Sequence, residues 1–141
     1  MLRISAKVDY AVRALAELAR NDGGSLKGQE IARRQSIPAR FLGVTLGELR
    51  RHGLVESRRG GEGGYWLALP ADQITVAQVF EAIDGEIVDV RAVPDAIPTS
   101  TQWVWSLTEQ NLRTLLTSVT IADVARQSSI ALEDLVLKDP A

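Results

Sequence analysis

At 141 residues, 45% of them apolar, the chain buries one ordinary core with an appendage and is too short for two large domains. It has no cysteine, which removes disulfides, thiolate metal sites and thiol nucleophiles together, and no uncharged apolar run approaches the ~18–20 residues that span a bilayer. The formal charge of −2 is unevenly placed: residues 1–70 carry twelve Lys or Arg against seven Asp or Glu, a net of +5, while residues 71–141 carry four against eleven, a net of −7.

Ser5 is placed to cap a first helix in which Val8, Ala11, Val12, Leu15, Leu18 and Ala19 recur at three-to-four spacing. Asn21-Asp22-Gly23-Gly24 stops it. A short second helix starts near Gly28 or Gln29, buries Ile31 and Ala32, and breaks around Ser36-Ile37-Pro38. Pro38 fits the first turn of a third helix, where the amide proton it lacks would be unpaired anyway. That helix runs to His52-Gly53, with Phe41, Leu42, Leu46 and Leu49 expected in the core and Gly53 as its stop. Two short helices joined by a tight turn make a helix-turn-helix.

Leu54-Val55-Glu56-Ser57-Arg58, a glycine-rich stretch from Arg59 to Gly64, and Tyr65-Trp66-Leu67-Ala68-Leu69 then read as a β-hairpin, which in this position is a wing. Thr75 and Gln78 have capping-box spacing ahead of Val76, Val79, Phe80 and Ile83, and Asp84-Gly85 ends that helix. Residues 86–100, with Pro94 and Pro98, read as a long loop. From Trp103 to Val119 a longer helix carries Trp105, Leu112, Leu115, Leu116 and Val119 as an apolar stripe, and Thr120 opens a last short helical turn. The fold class expected is mainly α with a small β-hairpin. It divides into a winged helix-turn-helix at 1–85, a loop at 86–100, a long helix with a short follower at 101–127, and a tail at 128–141.

The basic half points to phosphate. Between residues 33 and 59 stand Arg33, Arg34, Arg40, Arg50, Arg51, Arg58 and Arg59 against only Glu48 and Glu56. A recognition helix offers its N-terminal outer residues to base edges, here Ala39, Arg40, Gly43, Val44 and Gly47. Arg40 alone has a strong donor set, suited to guanine O6 and N7 or to a phosphate. Gly43 and Gly47 each cost the helix about 1 kcal/mol relative to alanine, offset by close backbone approach or simply tolerated. In the wing, a flexible turn beside Arg58, Arg59 and Gly60 can lay a guanidinium into the minor groove, and Arg59 is the leading candidate. The turn lacks the Gly-Lys-Ser/Thr ending and following helix of a nucleotide-binding loop.

An apolar stripe on a helix lying beyond a completed winged-helix unit needs a cover. Either it meets the same stripe on a second copy or it folds back on its own first helix. Trp103 with Val90, Val93 and Ile97 could line a small-molecule effector pocket, with ordinary packing as the alternative. An enzyme fits poorly: the one histidine, His52, sits at a helix end where the dipole accounts for it, and Glu81, Asp84, Glu86 and Asp89 read as a solvated acidic face. The first residues also lack the apolar core and cleavage site of a signal peptide, so a soluble cytoplasmic protein without a membrane partner is expected.

Several of these residues together resemble one family. Gly53-Leu54-Val55, Arg59-Gly60, Gly63-Gly64-Tyr65 with Leu67-Ala68, Ile74-Thr75-Val76 and Ala82-Ile83-Asp84-Gly85 are similar to the Rrf2 (IscR, NsrR and CymR) family, as is the opening Leu2-Arg3-Ile4-Ser5-Ala6-Lys7 with Tyr10-Ala11. The resemblance spans roughly residues 1–125. It implies a dimeric transcription factor, with a wing arginine in the minor groove of double-stranded DNA and a long C-terminal dimerisation helix. Cluster-binding members place three cysteines in the loop before that helix, whereas residues 86–100 here supply none, with Ala92, Ala96 and Ser100 among the small residues. No iron–sulfur cluster or other metal cofactor is expected. The alternative reading is a small-molecule-sensing or protein-interaction winged-helix module.

Overall fold

A computed structural model describes residues 3–88 and 101–127. Six α-helices and one hairpin are present among them: α1 (Ala6–Arg20), α2 (Gly28–Gln35), α3 (Ala39–Arg51), β1 (Val55–Arg58), β2 (Gly64–Leu67), a 3-10 turn (Ala71–Gln73), α4 (Val76–Asp84), α5 (Gln102–Ser118) and α6 (Ile121–Arg126). The mainly helical class with one small hairpin is therefore as expected. Residues 89–100, including Val90, Val93 and Ile97, and the tail 128–141 lie outside the described residues.

Helix α1 begins where Ser5 accepts a hydrogen bond from the Val8 amide, 3.2 Å. The same hydroxyl donates to the Asp84 carboxylate at 3.1 Å, tying the start of α1 to the end of α4. Ala11, Ala14 and Leu15 are fully buried, so α1 forms the axis of the core, its alanines letting neighbouring helices approach closely. Helix α2 stops at Ser36, which adopts a left-handed φ of 52°. Ile37 then plugs the core between the two helices of the motif.

In α3 the core contacts are Leu42, Thr45, Leu46 and Leu49. Phe41, expected among them, is 45% exposed, and Thr45 takes the inward position at 1%. The exchange has a simple cause: Thr45 can satisfy its hydroxyl on the Phe41 carbonyl, 2.9 Å away, and so be buried without an unpaired donor. Pro38 is the N-cap residue rather than the first helical residue.

The hairpin pairs Val55 with Leu67, Glu56 with Trp66, Ser57 with Tyr65 and Arg58 with Gly64. A further bridge joins Leu26 to Tyr65, with amide–carbonyl bonds of 2.9 and 2.7 Å, and fastens the wing to the loop between α1 and α2. The expected capping box forms at Thr75 with Gln78, and a second one is found at Thr120 with Asp123. Beyond that, Thr75 and Thr120 pair as a bridge: the Val76 amide donates to the Val119 carbonyl at 2.9 Å and the Ile121 amide to the Ile74 carbonyl at 2.8 Å. Ile121, wholly buried in the main core, and the Arg20 bond to the Ala125 carbonyl hold α6 against α1. The long helix α5 is thus clamped at its C-terminal end to the helix-turn-helix unit. Among the described residues, no helix is long and apolar enough to cross a membrane.

Candidate nucleic-acid interface

The outer face of α3 follows from its buried one. With Leu42, Thr45, Leu46 and Leu49 inside, 3.6 residues per turn place Arg40, Val44, Gly47 and Arg51 within about 30° of the outward direction. Gly43 and Arg50 lie on one flank of that stripe, Phe41 and Glu48 on the other. Val44 is 52% exposed, and a Cβ added at Gly43 would meet nothing within 4 Å. The Arg40 guanidinium stands 5.0 Å from the centroid of the Phe41 ring, a cation–π contact that orients it beside the start of the helix. Sequence periodicity alone missed this role for Phe41, because a phenylalanine at core-compatible spacing reads as core.

At two positions of the wing, Gly63 and Gly64, a side chain would collide with the backbone. The Gly63 amide closes the turn on the Gly60 carbonyl at 2.9 Å. A Cβ at Gly63 would lie 2.2 Å from the Arg58 carbonyl oxygen. At Gly64, with φ of 144°, it would lie 2.7 Å from the Leu26 carbonyl oxygen, which is the close approach that the bridge to Tyr65 requires. This turn exposes Arg58, Arg59 and Gly60. Glu56 on the same hairpin accepts a 2.9 Å bond from the Trp66 indole, so its carboxylate is directed along the sheet.

The arginines divide into two groups. Arg33 pairs with Glu30 at 2.6 Å, and Arg34 with Glu30 at 2.8 Å and with Glu17 at 3.6 Å. Hydrogen bonds from Arg33 first and Arg34 second hold the Glu30 carboxyl down from 4.5 to about 2, and the Arg33 guanidinium is correspondingly pushed up. Arg33 thus forms a surface ion pair within α2, its side chain still 72% exposed. Arg50, Arg51, Arg58 and Arg59 are exposed and have no ion-pair partner among the described residues, and Arg40 has only its aromatic neighbour. Ala39 is exposed at the helix start. Lys7 reaches Glu48 at 3.6 Å and so fixes the flank of α3 against α1.

Helix α5 has no buried residue along its 17 positions. Leu116 and Val119 pack against the cluster of Val8, Val76 and Phe80, and Arg113 bonds Glu81 of α4. Leu112 is half-buried, whereas Trp103, Trp105, Leu107 and Leu115 stand exposed. The folding-back alternative accounts for the C-terminal end of the stripe and leaves Trp105 and Leu115 uncovered.

A helix-turn-helix followed by an arginine-bearing wing defines a DNA-binding transcriptional regulator of the winged-helix class, not an enzyme. Residues 4–127 match the Rrf2 family, an iron-dependent transcriptional regulator, and the chain belongs to that family. It is 41% identical over 131 residues to a Mycobacterium tuberculosis H37Rv protein provisionally named HTH-type transcriptional regulator Rv1287, covering 88% of this chain and 81% of that one. The HTH-type transcriptional regulator CymR of Bacillus subtilis is 30% identical over 125 residues, covering 88% of this chain and 90% of that one. The solved structure of CymR, the global cysteine regulator of B. subtilis, superposes with a TM-score of 0.81 at 31% identity, over 92% of this chain and all of that one. That of T. potens IscR gives 0.78 at 29% identity, over 96% of each chain.

The family description names iron, and this chain offers it no thiolate. The chain has no cysteine and one histidine, and among the described residues no three His, Cys, Asp or Glu come together as a metal site. Iron–sulfur centres need soft thiolate or, less commonly, imidazole ligands, and the donor set does not fit one.

Proposed function

We propose that the protein is a cytoplasmic homodimeric repressor that occupies its operator with α3 of each protomer in the major groove and Arg59 of each wing in the minor groove. In this reading residues 1–85 are the DNA-binding unit and 101–127 the dimerisation arm, with the segment between them assigned to effector sensing. A small-molecule effector acts there by binding one arrangement of the arm more tightly than another. The observation that carries the reading is the set of exposed guanidinium groups at Arg40, Arg50, Arg51, Arg58 and Arg59, which have no ion-pair partner among the described residues and all lie on the two elements that a winged helix sends to DNA. Dimerisation is supported by a 17-residue helix that buries none of its residues within its own chain.

Selection of binding sites from random duplexes tests it. The expected product is an imperfect inverted repeat whose half-sites lie about 34 Å apart on one face of the duplex. Arg59→Ala then weakens binding by about 1–3 kcal/mol and relaxes any preference for A·T pairs beneath the wing. Recovery of no symmetric motif, or a wing mutant with unchanged affinity, contradicts the proposal.

A further inference from the structure

The outward stripe of α3 has a cation at each end and, between them, one side chain. From Arg40 to Arg51 is about 16 Å at 1.5 Å per residue, or about five base pairs at 3.4 Å each. Within that span Gly47 presents no side chain, nor does Gly43 on the flank. Neither glycine is required by packing: a Cβ at Gly43 would meet nothing within 4 Å, and one at Gly47 would touch only the tip of Arg51 at 3.8 Å. Both weaken the helix relative to alanine. What they provide is clearance, which lets the backbone come close enough for a short side chain to reach the floor of a groove. That side chain is Val44.

We propose that Val44 reads the 5-methyl group of a thymine in the major groove, one in each half-site. The inference rests on the DNA-binding reading above and adds the base. The thymine methyl is the apolar group that the major groove displays, and an isopropyl group offers it contact without a hydrogen bond. An adenine or cytosine amino group at the same point would lose water and gain no acceptor, so those bases are disfavoured. Of the adjacent polar side chains, the Thr45 hydroxyl is turned inward to the Phe41 carbonyl, and Glu48 is held toward Lys7.

The test uses the full-length protein and the duplex recovered by site selection, with each thymine of the half-site replaced in turn by deoxyuridine. That change keeps Watson–Crick pairing and the O4 acceptor and removes only the methyl. At one position, changed in both half-sites, wild-type affinity should fall by about fourfold per half-site, the value of one buried methylene-sized contact. Val44→Ala, at an exposed position in a helix that alanine favours, keeps one methyl of the isopropyl group's reach and should discriminate thymine from uracil less strongly at that position. Equal wild-type affinity for thymine and uracil at every position overturns the inference, as does undiminished discrimination by Val44→Ala. Failure of the wild type to bind any duplex at low salt overturns the DNA-binding reading itself, and the two failures are thereby distinguished.

Discussion

Gly63→Ala is the sharpest single-methyl probe of the wing. The added Cβ would sit 2.2 Å from the Arg58 carbonyl oxygen and 2.8 Å from the Arg59 carbonyl carbon, all backbone atoms that no side-chain rotation can clear. The hairpin end has to open, which disturbs the 2.9 Å turn bond to Gly60 and the pairing of Arg58 with Gly64. A lost exposed turn bond contributes about 0.5–1.5 kcal/mol and local backbone strain about 1–3 kcal/mol. Because the tip is free to relax outward, the net cost should settle near 1–3 kcal/mol, a Tm lower by roughly 3–10 °C. Operator affinity should fall as well, since Arg58 and Arg59 are displaced together. Gly61→Ala is the internal control: its Cβ meets nothing within 4 Å and its φ is not left-handed, so it should be neutral or stabilising by up to about 1 kcal/mol. Thermal unfolding and operator titration of the two variants side by side provide the comparison. A Gly63→Ala protein with wild-type Tm and affinity would refute the geometry described for the wing.

Replacing Trp105 and Leu115 with glutamate should give monomers of nearly unchanged helical content, because both side chains are exposed in the single chain. Sedimentation checks this, and a persistent dimer would move the interface elsewhere. The Glu30 carboxyl, lowered from 4.5 to about 2 by Arg33 and Arg34, contributes stability that is fully present above about 4.5 and is lost as the pH falls through about 2. The Tm difference between the wild type and Glu30→Gln should therefore shrink steadily between those values, and a difference constant across that range would argue against the pairing.

Much of this architecture was readable from local chemistry. Capping residues carry their own geometry, so Ser5, Thr75 with Gln78, and Thr120 announced three helix starts from a few neighbouring side chains each. Glycine clusters marked the turns for the same reason. What escaped was decided by partners far along the chain. The bridge between Thr75 and Thr120, which clamps α5 to the DNA-binding unit, joins segments 45 residues apart and has no sequence signature. Leu116 and Val119 read as part of a dimer stripe because periodicity marks an apolar face without naming what covers it. Phe41 and Thr45 exchanged places because burial is settled by hydrogen-bond satisfaction as well as by hydropathy. The pairing of Arg33 with Glu30 was legible in their three-residue spacing, which brings charges together on one helix face.

The dependence of operator affinity on salt tests the central proposal most directly. Five exposed arginines on each protomer of a dimer supply about ten candidate phosphate contacts, so log K against log salt should fall with a slope between about −5 and −9. Arg59→Ala should make that slope shallower by about two, one for each wing. A slope near zero would contradict DNA recognition through these arginines.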